Sequence, residues 1–63
     1  MRKPERLDSF YDRLKEVHKL FFPDWRFGQL IYNLMAEIGD PFFYEEQEMI
    51  EMIELYALKY GKK

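Results

Sequence analysis

Apolar residues recur every three or four positions along most of the chain, which is the spacing of one face of an α-helix. In the first third of the chain this stripe consists of Leu7, Phe10, Tyr11, Leu14, Val17, His18 and Phe21. Similar spacing returns twice further along, and no stretch alternates in the manner of a β-strand. The pattern predicts an all-α fold, a compact three-helix bundle with a single domain over residues 1–63.

Helix-breaking residues divide this pattern into three segments. The predicted helices span residues 4–21, 24–38 and 45–60. Pro4 suits a first helical turn, and the residue before Pro23 avoids the α-helical region. Asp24 is the predicted N-cap of the second helix, and Gly39 is its predicted C-terminal stop. The connections are short, so we expect neighbouring antiparallel helices.

The second helix is apolar on two sides. One face comprises Phe27, Leu30, Ile31, Leu34, Met35 and Ile38, and the opposite face comprises Trp25, Gln29, Tyr32 and Ala36. A helix that is apolar on both sides is typically wedged between neighbours. This favours a bundle with the second helix at its centre. The alternative is that Trp25 and Tyr32 are exposed and bind a partner, because Trp and Tyr are frequent hot-spot residues in interfaces.

Arg26 and Gly28 interrupt the apolar start of this helix. A glycine within a helix costs about 0.5–1 kcal/mol relative to alanine, so we expect another backbone or an aromatic ring to approach Gly28 closely. Arg26 is predicted to form an ion pair with Asp40, Glu45 or Glu46. The alternative is that its guanidinium recognises a carboxylate or phosphate of a partner.

The third helix has a broad core face and an acidic outer side. The core face comprises Met49, Ile50, Met52, Ile53, Tyr56, Ala57 and Tyr60. On the other side Glu48, Glu51 and Glu54 surround Leu55 and Leu58. Apolar side chains within a polar rim are typical of a protein interface. These five residues are the first candidate for a partner-binding surface, with Trp25, Tyr32 and Arg26 as further candidates.

The net charge of −2 conceals an uneven distribution. Residues 27–58 contain seven acidic side chains and no lysine or arginine. A nucleic-acid-binding protein normally carries a basic stripe, so we do not expect nucleic acid as the partner. The acidic segment either binds a partner or only keeps the surface solvated. The opposing hypothesis is a nucleic-acid regulator that uses the basic chain ends: Arg2, Lys3, Arg6, Lys62 and Lys63.

Few residues could support catalysis or metal binding. The chain has no cysteine or threonine, one serine and one histidine. His18 lies on the apolar stripe, which favours a hydrogen-bonded histidine at the edge of the core. We therefore predict a protein that is not an enzyme, with no catalytic residue, cofactor or metal. No apolar run reaches the roughly 20 residues of a membrane span, and the charged N-terminal residues do not resemble a secretory signal. We expect a soluble cytoplasmic protein.

Two segments carry a resemblance to a family. The chain resembles small uncharacterised proteins of bacteria and their phages or prophages, which share a Pro-Asp-x-Arg-x-Gly-Gln-Leu segment and a later Phe-Tyr-x-Glu-Asp-Glu stretch that opens an acidic last helix. The matching residues are Pro23, Asp24, Arg26, Gly28, Gln29, Leu30, Asp40, Phe43, Tyr44, Glu46 and Glu48. Gln47 departs from the pattern, which weakens the case for a carboxylate metal site. The resemblance implies no biochemical activity.

Together these features predict a small protein-interaction module, such as a phage or prophage factor that binds a host protein. An acidic inhibitor that imitates nucleic acid is one form of this hypothesis. A nucleic-acid regulator and a structural subunit that self-associates are the alternatives. In a chain this small, oligomerisation often supplements a limited core.

Overall fold

The computed structural model describes residues 2–61, which form three α-helices and, over that range, no β-strand. The helices are α1 (Arg6–Phe21), α2 (Phe27–Ile38) and α3 (Glu46–Tyr60). The predicted all-α three-helix bundle is confirmed. The observed ends of α1 and α3 lie within two residues of the predicted ones.

All three helices and the first loop contribute to one small core. Its buried members are Leu14, Val17, Phe22, Leu30, Leu34, Ile53, Tyr56 and Ala57. Leu30 and Leu34 are only 1% exposed, so α2 is anchored by two fully buried leucines on one side. The side chains of Phe10, Trp25, Met49 and Ile50 pack around the edge of this core.

α1 and α3 run parallel and pack against each other more extensively than any other pair of helices. At their N-termini, Arg6 Nε lies 2.7 Å from Glu46 Oε1. At their C-termini, Gly61 lies directly against Phe21, so closely that a Cβ on Gly61 would come within 2.7 Å of Phe21 Cβ. α1 and α3 are therefore in contact at both ends, and we call this helix pair the closed side of the molecule.

α2 does not lie at the centre of the bundle, contrary to the prediction. α3 packs against both other helices, whereas α2 contacts α3 less extensively and α1 less still. Glu37, near the end of α2, bonds to Lys59 and Tyr60 at the end of α3. The end of α2 therefore lies against the C-terminal half of α3, whereas a helix running antiparallel along α3 would end near the beginning of α3. The second apolar side of α2 remains uncovered.

The start of α2 also differs from the prediction. Asp24 is not its N-cap, since the helix begins at Phe27 and Arg26 is the N-cap residue. The Gln29 side chain accepts a hydrogen bond from the Arg26 backbone N–H at 2.7 Å, which satisfies one free donor of this terminus. Residues 23–25 instead form a turn in which the Trp25 N–H donates to the Phe22 carbonyl at 3.1 Å.

The second loop begins where predicted. Gly39 has a φ of 83°, a conformation that glycine adopts without steric cost. The Asp40 carboxylate accepts a hydrogen bond from the Phe42 N–H at 3.0 Å, which closes a tight turn. The loop then returns to Glu45, the N-cap residue of α3. It thereby connects the C-terminal end of the molecule to the N-terminal end of α3.

Candidate functional site

Two leucines stand out from the surface of α3 as the sequence predicted. Leu55 is 65% exposed and Leu58 is 76% exposed. The 3.6-residue period of the helix places Glu48 and Glu51 on the same side, one to two turns earlier. We refer to these four residues as the α3 outer face. Burial of either leucine by a partner would remove apolar area from water, which is the main favourable term in association.

The acidic residues around these leucines have different environments. Glu54 pairs with Arg13 of α1, which also pairs with Glu16, so Glu54 belongs to the contact between α1 and α3. Glu48 accepts a hydrogen bond from the Glu45 N–H at 2.9 Å and so caps the helix. Glu51 accepts a hydrogen bond from the Gln47 amide at 3.1 Å. Glu51 is therefore the carboxylate most available to a partner.

The N-terminal arginines pair with two of the seven acidic side chains in residues 27–58. Arg2 pairs with Glu45, and Arg6 pairs with Glu46. These hydrogen bonds hold the pKa of each carboxyl below its usual value. The hydrogen bond from Arg2 is also the main reason that the pKa of the Arg2 guanidinium is raised. The basic N-terminal residues and the acidic beginning of α3 are thus in contact.

A further ion pair joins α2 to α3. Lys59 Nζ lies 3.1 Å from Glu37 Oε2, and the Tyr60 hydroxyl donates to the other Glu37 oxygen at 3.1 Å. The bonds from Lys59 and Tyr60 lower the pKa of the Glu37 carboxyl. This pair positions the last turn of α2 on α3.

The predicted ion pair of Arg26 does not form. Glu45 and Glu46 are occupied by Arg2 and Arg6, and Asp40 lies beyond the far end of α2. Within residues 2–61, Arg26 has no acidic partner and its side chain is exposed. The prediction failed because α2 begins three residues later than expected, with Arg26 as its N-cap residue.

Trp25 and Tyr32 lie in different surroundings. Trp25 precedes α2 and stacks on Phe22, with 4.6 Å between ring centroids. The His18 Nε2–H donates a hydrogen bond to the Trp25 carbonyl at 2.7 Å, so His18 is a partly buried structural residue, as predicted. Tyr32 is 76% exposed on α2. Trp25 therefore supports the core edge, and only Tyr32 is presented to solvent as a free anchor.

Gly28 has open space around it, contrary to the prediction that it permits a close approach. A Cβ built there would meet no atom within 4 Å. Helical spacing places this glycine among apolar residues that are exposed or half-buried, and we call this group the α2 outer face: Gly28, Ile31, Tyr32, Met35 and Ala36. Phe27 and Met35 were predicted on the same face as Leu30 and Leu34, but both are exposed.

Two further aromatic residues were missed as surface candidates. Phe42 and Phe43 are 78% and 88% exposed and contact each other edge to face, with 4.9 Å between centroids. They lie in the loop between α2 and α3. Their adjacency directly after Asp40-Pro41 was the available signal, because a tight turn cannot direct two neighbouring side chains into the same core.

The groove between α1 and α3 offers few free polar groups to a ligand. One groove of about 560 Å³ lies between the N-terminal halves of α1 and α3. Its charged residues include Arg6 and Glu46, which already bind each other. Over residues 2–61 no three acidic or histidine side chains are grouped in a way that could hold a metal ion. In the same range, no helix combines the length and apolar character that crossing a membrane requires.

Comparison of the chain with family models, with curated proteins and with solved structures finds no match. The resemblance to small bacterial and phage proteins therefore rests on the residues of the two segments alone, and it stays a hypothesis.

Proposed function

We propose that this protein is a non-enzymatic interaction module that binds another protein through the α3 outer face. The observation that carries the proposal is the exposure of Leu55 and Leu58 beside Glu51 on a helix whose other side is firmly buried. A rigid helix presents such anchors without the cost of ordering a flexible backbone, which favours affinity.

The chemistry of this face indicates the kind of partner. Full burial of a leucine side chain is worth about 1.5–3 kcal/mol, so two leucines can supply the apolar centre of a modest interface. Glu48 and Glu51 would face basic residues at the partner's rim. Such charges raise the association rate and make binding weaken with salt. The partner expected here has an apolar groove flanked by lysine or arginine.

The imitation of nucleic acid receives less support than a simple protein contact. Four of the seven acidic residues in 27–58 are paired with cations of the chain itself: Glu37, Glu45, Glu46 and Glu54. A surface that imitates phosphates needs unpaired carboxylates. The alternative of a nucleic-acid regulator meets a similar difficulty, because Arg2 and Arg6 are engaged by Glu45 and Glu46. Lys62 and Lys63 lie outside the described residues.

The biological setting belongs to the same proposal. The two segments that resemble small bacterial and phage proteins suggest a phage or prophage factor that acts on a host protein in the cytoplasm. Capture from lysate of a bacterial host, followed by identification of the bound protein, supplies a purified partner for measurement.

The test compares a variant of the α3 outer face with a variant of another exposed residue. Leu55→Glu combined with Leu58→Glu should preserve helicity and abolish binding of the purified partner in calorimetry. Tyr32→Glu is the matched control, since Tyr32 and Leu58 are both 76% exposed. It should bind as wild type does. Binding should also weaken as salt is raised. Equal affinity of the double leucine variant and wild type would reject the α3 outer face, and loss of binding in Tyr32→Glu alone would transfer the function to α2.

A further inference from the structure

We infer that the α2 outer face binds a second copy of this chain, with the two α2 helices antiparallel about a two-fold axis. This surface is separate from the α3 outer face and does not depend on the function proposed above. Its central feature is an uncharged helix face flanked by one cation and one anion.

The α2 outer face is apolar. Residues 27–36 contain no charged side chain, in a chain of which 35% of residues are charged. Tyr32 and Met35 are exposed, although the opposite side of the same helix holds the buried Leu30 and Leu34. Gly28 leaves a gap in this face, where a side chain of a facing helix can approach the backbone. Contiguous exposed apolar surface of this kind marks an interaction site.

Charge complementarity selects a second copy as the occupant. The exposed Arg26 precedes α2, and the exposed Asp40 follows it. A two-fold axis in the interface, perpendicular to α2 and beside its middle, brings each Arg26 to the opposite end of the partner helix, near the Asp40 of that copy. Both ends of the interface are then complementary. The α3 outer face lacks this property, because a second copy would place glutamates opposite glutamates.

The helix dipole favours the same arrangement. Within the chain, α2 has no acidic residue in its first turn and no basic residue in its last turn. Its terminal partial charges are therefore not offset by its own side chains. In the antiparallel pair, Arg26 of each copy approaches the C-terminus of the other α2, where a cation is stabilising. A parallel pair would place the two arginines together.

The size of the face sets the expected strength. A standard interface buries about 800 Å² on each partner. Five residues of one helix supply less than that, so the dimer should be reversible and should dissociate on dilution. A small domain gains stability from such association, and its melting temperature should rise with protein concentration.

Sedimentation equilibrium over a range of concentrations tests this inference. Wild type should pass from monomer to dimer, and Tyr32→Glu combined with Met35→Glu should stay monomeric with unchanged helicity. Leu55→Glu combined with Leu58→Glu is the control and should dimerise as wild type does. A wild type that is monomeric at millimolar concentration would overturn the inference, as would a dimer that persists in the Tyr32 and Met35 variant.

A charge-reversal experiment tests the orientation. Arg26→Glu alone places two acids at each end of the antiparallel pair, and Asp40→Lys alone places two bases there. Each variant should be mainly monomeric. An equimolar mixture should recover the dimer, because both ends of the mixed pair are complementary again. Failure of the mixture to recover it, with both variants folded, would reject the antiparallel geometry.

Discussion

The outer faces of α2 and α3 expose apolar side chains to a similar extent but differ in what surrounds them. Leu55 and Leu58 on α3 stand beside glutamates, whereas Tyr32 and Met35 on α2 have no charged neighbour within the helix face. Two copies of the α3 outer face would bring glutamates opposite glutamates, and the partner that we propose for this face is basic. The uncharged face of α2 carries no such repulsion between copies.

The comparison shows that exposure of apolar residues alone does not identify a partner. The neighbouring charges determine which surfaces can approach. In this chain Arg2, Arg6 and Arg13 pair with glutamates at the start and in the middle of α3. Arg26 has no acidic partner within residues 2–61. Three of the four arginines are therefore neutralised by glutamates of α3 or its N-cap, whereas the arginine at the start of α2 keeps an unpaired charge within residues 2–61.

The largest expected effect comes from the inner side of α2. Leu34→Ala removes a fully buried side chain, which typically costs about 2–5 kcal/mol. That is comparable with the entire stability of a small domain, so the variant should melt far below wild type or be unfolded at room temperature. Thermal denaturation followed by circular dichroism measures this effect.

Tyr32→Ala is the control for the inner side, because it changes the same helix on its exposed side. Its monomer should melt within a few degrees of wild type. Equal melting temperatures for Leu34→Ala and Tyr32→Ala would mean that α2 has no distinct inner and outer side, and the comparison would fail.

The helices of this fold were predictable from sequence, but their packing was not. Periodicity located all three segments because helical spacing is a local property. The position of α2 depends on where its ends are attached, and the bond between Glu37 and Lys59 is a contact between distant parts of the chain. A helical wheel of α2 alone therefore could not distinguish Leu34, which is buried, from Met35, which is exposed.

The candidate surfaces follow the same division. The exposure of Leu55 and Leu58 was predictable, since both lie opposite a continuous core stripe on one regular helix. Arg26 was assigned a wrong partner because Glu45 and Glu46 could be reached by several arginines, and sequence does not rank them. The structure gives those carboxylates to Arg2 and Arg6.

The next expected effect is a loss of stability on the closed side of the molecule, where α1 and α3 meet. Gly61→Ala would place a Cβ 2.6 Å from the Ala57 carbonyl oxygen and 2.7 Å from Phe21 Cβ. Either the end of α3 or the end of α1 must shift. Overpacking of this kind costs about 1–3 kcal/mol, so the midpoint of urea denaturation should fall. An unchanged midpoint would mean that α1 and α3 are not tightly joined at this end.

Gly28→Ala should have the opposite sign and a smaller size. The added methyl group meets nothing in the monomer, and alanine restricts the unfolded chain more than glycine does. We expect a gain of about 0.5–1 kcal/mol in urea denaturation of dilute protein. A loss of stability under those conditions would show that another part of the same chain covers Gly28, and that the α2 outer face is not open.

The smallest expected effect is the change of the melting temperature at low pH. It distinguishes the carboxylates that pair with cations from those of the α3 outer face. The pKa values of Glu37, Glu45 and Glu46 are lowered in the folded protein by hydrogen bonds from their cationic partners. A carboxyl with a lowered folded pKa stabilises the fold above its unfolded pKa, about 4.3 for glutamate. That stabilisation is lost as the pH falls through the lowered folded value.

The melting temperature should therefore decrease as the pH is lowered below about 4, and the decrease should be modest because these groups are exposed. Arg6→Gln removes the partner of Glu46 and should make the decrease shallower. Glu51→Gln is the matched control, since Glu51 has no cationic partner within residues 2–61, and it should reproduce the wild-type slope. A change of slope in Glu51→Gln equal to that in Arg6→Gln would mean that the two groups of carboxylates do not differ. Ion pairing would then not distinguish the carboxylates that contact cations from those of the α3 outer face.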